Sequence, residues 1–165
     1  MNFANDPTEL LPLDQLLQHS GMAFMQKMLD GTLPAPPISR LMGYQLHAIG
    51  DGTAEFRGAP NFDATNPMGS VHGGWYGTLL DSAMACAVMT RVPRGALYTT
   101  LEYKINIIRP IPLDHEITCT GTVDHSGRTT AVAHGEIRDL HGSRLYATGT
   151  TTCIIMDMSK GPSRK

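Results

Sequence analysis

Between Trp75 and Thr90 the sequence contains no lysine, arginine or glutamate, and on a helical projection its apolar side chains reach nearly all the way round. A helix of that kind has no face to give to water, so the rest of the chain must enclose it. With 165 residues there is enough chain for one domain around such a core and too little for two. The enclosing material is β-structure. YQLHAIG and TAEFRGA flank Asp51-Gly52, which predicts a hairpin over residues 44–58. After the helix, LYTTLEYKINIIRP, HEITCTGTVDHSG, RTTAVAHGEIRDLHG and RLYATGTTTCIIM are rich in Thr, Val, Ile and Tyr and are separated by Pro or Gly turns. They predict four long strands in an antiparallel meander. The fold class is α+β, an antiparallel sheet curled round one central helix.

Ahead of that core, Asp6 as N-cap, Pro7 and Glu9 carry the signature of a helix start, which Pro12 interrupts or restarts. From Leu13 the apolar residues Leu16, Leu17, Phe24, Met25, Met28 and Leu29 recur at helical spacing as far as Gly31, predicting one amphipathic helix. PAPP at 34–37 reads as an extended, rigid spacer. Residues 1–37 therefore form a helical extension with its spacer, 38–157 the core domain and 158–165 a tail.

The one charge on the apolar helix is Asp81. An unpaired carboxylate in such surroundings costs roughly several kcal/mol, or its pKa rises until it neutralises. Either Ser or Thr hydroxyls at the sheet edge satisfy it, or it works. The loop before it, NPMGSVHGG, bears on that choice. Gly73-Gly74 leave the first free N–H groups of the helix unobstructed, and those donors with the positive end of the helix dipole suit an oxyanion. Asn66 and His72 add polar groups to the same loop, which also reads as a flexible turn with a capping histidine. From Gly73 to Asp81 is about 12 Å of helix at ~1.5 Å per residue, too far for one chain to bring both to one carbonyl. Two subunits with their helices antiparallel about a two-fold axis would join the helix start of one to the aspartate of the other.

Composition narrows the classes. Thirteen Lys plus Arg against fifteen Asp plus Glu give a formal charge of −2, with no basic stripe for nucleic acid. Cys86, Cys119 and Cys153 are far apart and never form CxxC, and the histidines lack ligand spacing, so no disulfide framework and no metal site is expected. Without a secretory leader or a long apolar run, a cytoplasmic location is expected, with no membrane partner.

Asn66, Gly69, His72-Gly73-Gly74 and Asp81, in that order and spacing, resemble the hot-dog-fold acyl-CoA thioesterases, specifically the phenylacetate-degradation thioesterase branch. TTLEYKINIIRP at 99–110 and SGRTTAVAHGEIRD resemble that family's strand after the helix and its next hairpin, so the likeness runs from about Ile38 to Ile155. The resemblance implies a hot-dog fold and hydrolysis of acyl-CoA without a cofactor. It implies that Gly73 is the backbone oxyanion donor and Asp81 of the opposite subunit the catalytic carboxylate, acting as general base or nucleophile. Asn66 and His72 would position water or the carbonyl, Gly74 would stand beside the oxyanion site, and Thr100, or Thr99 if the register slips, would orient the attacking water. Arg128 and Arg109 are candidates for the CoA phosphates, against a merely solvated role. The assembly implied is a homodimer, or a homotetramer of two dimers.

Other readings stay open. The same scaffold supports non-catalytic acyl-CoA or aromatic-ligand binders and acyl hydratases or dehydratases. Ser70 lacks a GxSxG frame, and Cys86 lies inside the apolar helix, so neither reads as a nucleophile. Trp75, Tyr76, Met68 and Met84 either line an acyl pocket or are plain packing. The N-terminal helix is expected to cover the acyl pocket or an oligomer surface.

Overall fold

The computed structural model describes residues 2–158, so the expected tail lies outside the described residues except for Met158. Short helices α1 (Leu13–Leu16), α2 (Gly21–Leu29) and α3 (Pro37–Met42) precede the hairpin of β1 (Tyr44–Gly50) and β2 (Thr53–Gly58). The long helix α4 spans Gly73–Met89, followed by β3 (Ala96–Ile107), β4 (Ile117–Ser126), β5 (Thr130–Asp139) and β6 (Leu145–Asp157). All six strands form one antiparallel sheet, and α4 touches every one of them. This is the hot-dog architecture expected of the sequence. Among the described residues no helix is long and apolar enough to cross a membrane.

The enclosure of α4 depends on glycine. Gly121, Gly135 and Gly149 occupy β4, β5 and β6 and pair with one another across the sheet. A Cβ at Gly121 would lie 2.2 Å from the Ala83 carbonyl oxygen, and one at Gly135 2.9 Å from Met84 Cγ. The three bare positions form a trough in the sheet into which the backbone of α4 and the fully buried Met84 descend. Leu79, Leu80, Ala83, Ala87 and Val88 are likewise sealed from solvent, as the uncharged stretch requires.

Three expectations need correction. The strand order is β1-β2-β4-β5-β6-β3, so the last four strands are not a simple meander. β3 crosses to the far edge and pairs with β6, while β2 pairs with β4. The N-terminal helix is two helices. The Ser20 hydroxyl accepts from the Ala23 N–H (3.3 Å) and starts α2 afresh, and Gly21 donates to the Val92 carbonyl (2.9 Å) where a Cβ would sit 1.8 Å from the Met89 carbonyl oxygen. Docking onto the end of α4 thus breaks the periodic run. PAPP is extended only in part: Ala35 is buried and bridges Phe3, whereas Pro37 is the first residue of α3, whose fixed φ suits that position.

Candidate active site

α4 begins at Gly73, with His72 as its N-cap. The His72 ring accepts the Gly74 N–H at Nδ1 (2.9 Å), which leaves the ring proton at Nε2 and takes the Gly74 N–H out of use. Among the described residues nothing accepts the Gly73 N–H. The preceding loop is tied by Asn66, whose Oδ1 accepts from the Met68 (2.9 Å) and Ser70 (3.3 Å) amides and whose Nδ2 donates to the Ser70 hydroxyl (2.8 Å). Asn66 therefore shapes the loop, and His72 its junction with the helix.

Two turns further along, Asp81 is half-buried against β3. The Thr100 hydroxyl donates to its Oδ1 at 2.9 Å. Oδ2 takes no hydrogen bond from the described residues and is not sealed off from solvent. Desolvation raises the carboxyl pKa above its usual 3.8, and the bond from Thr100 works in the other direction by favouring the charged form. No cation pairs with Asp81 among the described residues. The neighbouring Ser82 hydroxyl is engaged with the Tyr44 hydroxyl (2.9 Å).

A β-bulge decides which threonine meets the carboxylate. Register is lost between Thr100 and Glu102, leaving Leu101 unpaired with β6. Before the bulge Tyr98 and Thr100 pair with the buried Ile155 and Cys153 of β6. After it Tyr103, Ile105 and Ile107 pair with buried positions of β6, and their side chains reach Gly77 and Gly73 of the helix. The buried Thr151 hydroxyl donates to the Glu102 carbonyl (2.7 Å) and holds the bulge. Thr99, opposite Ile154, lies on the outer face and does not meet Asp81.

The two basic candidates lie at opposite ends of the sheet. Arg128, in the turn between β4 and β5, belongs to the end where Thr100 opposes Cys153. Arg109 follows β3 beside Ser70 and Val71, near the start of α4, and lines one depression with Arg138, Ser143 and Arg144. Sequence reading found only the first of these three arginines; the turn between β5 and β6 brings in the other two. Trp75 and Met84 are buried packing, with the Trp75 indole N–H donating to the Met42 carbonyl (2.9 Å); Tyr76 is buried and accepts the Ile111 amide (2.9 Å), and Met68 is exposed. Tyr103, whose hydroxyl would lie 3.3 Å from a Cβ at Gly77, and Thr151 went unnoticed, because neither stands out without the bulge.

The sequence profile of the thioesterase superfamily matches residues 68–146. A conserved protein of Pseudomonas aeruginosa is 34% identical, with TM-score 0.67 over 72% of this chain and 93% of that one. A phenylacetic acid degradation-related protein of Ralstonia eutropha is 27% identical, with TM-score 0.72 over 79% of this chain and 98% of that one. Acyl-coenzyme A thioesterase 13 of Mus musculus is 32% identical over 88 residues, which are 53% of this chain. The chain spans 62% of the length of the curated relatives it matches.

Proposed function

We propose, since the chain belongs to the thioesterase superfamily, that it hydrolyses acyl-CoA thioesters to the free acid and CoA. One observation carries the reading: Asp81 stands on an otherwise apolar helix, held by a hydroxyl rather than a cation, with one carboxylate oxygen open. Such a carboxylate is anchored but not neutralised, as a general base for water or a nucleophile toward a carbonyl must be. A thioester is already electrophilic and its thiolate leaves readily, so a carboxylate and an oxyanion donor suffice and no cofactor is invoked. The Gly73 N–H supplies the donor, with the helix dipole behind it.

Both groups cannot serve one carbonyl within a chain, since eight residues of helix separate them by about 12 Å. A two-fold dimer provides two sites, each with Gly73 from one subunit and Asp81 from the other, and it brings the Arg109 end of one chain toward the Arg128 end of its mate. Support for self-association comes from β3, a twelve-residue strand at the edge of the sheet with Leu101, Tyr103 and Ile107 exposed. An edge so long and apolar invites covering. A dimer of two such dimers extends the same contacts.

The decisive experiment measures thiol release from acyl-CoAs by wild type and Asp81→Asn. Turnover in the wild type should fall about 10²- to 10⁴-fold in the variant with acyl-CoA binding retained. Saturable binding without thiol release by the wild type would make the protein a binder, and enoyl-CoA hydration without hydrolysis would make it a hydratase.

A further inference from the structure

A cavity of about 320 Å³ lies between the N-terminal segment and the flank of α4. Phe24, Met25 and Met28 of α2 form one wall, and Cys86 of α4 with Leu97 and Tyr98 of β3 form the other. No residue of its lining carries a charge. A second cavity of about 60 Å³ shares Met25, Met28, Pro36 and Cys86 with it and extends to Ser82, the residue after Asp81. Tyr98 is continuous with the candidate site from the other side, because it shares the helix-facing side of β3 with Thr100. Burial raises the Tyr98 hydroxyl well above its usual pKa, and the nearby Asp81 carboxylate adds to the effect. Tyr98 thus lines the chamber from the same side of β3 as the Thr100 that holds Asp81.

We propose that this chamber, roofed by the N-terminal extension, receives the acyl group of the substrate and selects an uncharged, hydrophobic acyl group of medium size; the inference rests on the thioesterase reading above. The volume is about twice that of the ~150 Å³ apolar cavity that takes benzene, which is room for an aryl ring on a short chain or a medium-length alkyl chain. An acetyl group would leave most of the apolar wall uncovered and gain little from it. The terminal carboxylate of a succinyl group would be desolvated there with no partner. In a two-fold assembly the chamber and Asp81 belong to one subunit, so the acyl group would enter the chain that supplies the acid.

Met28 lines both cavities from the extension and is the place to test this. Measuring kcat/KM for acetyl-, succinyl-, octanoyl-, phenylacetyl- and palmitoyl-CoA should rank octanoyl and phenylacetyl highest. Met28→Trp should lower kcat/KM for those two by about tenfold or more relative to acetyl-CoA, reversing the ranking. Met28→Ala should shift the preference toward palmitoyl-CoA, and it decides the matter if the tryptophan variant does not fold. In the Asp81→Asn background, calorimetric binding of octanoyl-CoA should weaken on adding Met28→Trp. Hydrolysis with an unchanged acyl ranking in folded Met28 variants would overturn the chamber and leave the thioesterase reading intact. Octanoyl-CoA binding that is sensitive to Met28 but never followed by thiol release would support the chamber and overturn the thioesterase reading.

Discussion

The two flanks of α4 are built on opposite principles. Toward the sheet the helix lies so close that three strands give up their side chains at the crossing, and Met84 fills the trough with no exposure. Toward the N-terminal extension the same helix faces a cavity of about 320 Å³ beneath methionines and a phenylalanine. Close packing fixes where the helix is, and therefore where Asp81 and Gly73 are. Loose packing leaves room for something that is not protein. Asp81 sits near the seam, anchored by Thr100 of β3, with its neighbour Ser82 at the edge of the smaller cavity.

The most severe way to break this contrast is Gly121→Val. Its Cβ alone would meet the Ala83 carbonyl oxygen at 2.2 Å, backbone against backbone, so a loss of more than about 4 kcal/mol is expected in urea unfolding. Tolerance of valine there would mean the trough is not a constraint. Next comes a matched pair. Met84→Ala should cost about 3 kcal/mol because the trough cannot collapse, whereas Met28→Ala, from a half-buried side chain beside open space, should cost about 1 kcal/mol. Equal denaturation midpoints for the two would erase the difference between the flanks.

A smaller effect, dependent on pH, sharpens the picture at the seam. The Asp81 carboxyl has a folded pKa above its unfolded value of 3.8, so between those two values the folded state holds the extra proton and stability falls as pH rises. Asp81→Asn should therefore be the more stable protein at neutral pH, with its advantage shrinking as pH falls and vanishing below the unfolded value. Thermal melts of both proteins across the acid range test this; a variant less stable at pH 7 would show that ionised Asp81 stabilises the fold. Activity should show the converse, rising with pH along a limb set by the same raised pKa.

Much of the core was legible because it is written in local periodicity. The hairpin about Asp51-Gly52, the span of the central helix and the segments that become strands follow from which neighbours are apolar and where the turn residues lie. Gly121, Gly135 and Gly149, spaced evenly along the chain, carried a sign of close backbone approach that the sequence reading passed over and the structure made plain. The break at Ser20 was not legible, because it comes from α2 docking on the end of α4 rather than from the helical pattern itself.

At the candidate site the sequence by itself determined that an acid stands alone on an apolar helix, eight residues beyond a glycine-rich start, and that no single chain could bring the two together. Only the tertiary structure decided that Thr100 rather than Thr99 meets that acid, that β3 crosses to the sheet edge, that Arg138 and Arg144 join Arg109, and that the extension leaves a chamber. The reason is one of range. Side-chain alternation is set residue by residue, but an unpaired Leu101 reverses it, and whether a strand carries such a bulge depends on a partner strand roughly fifty residues away in the chain.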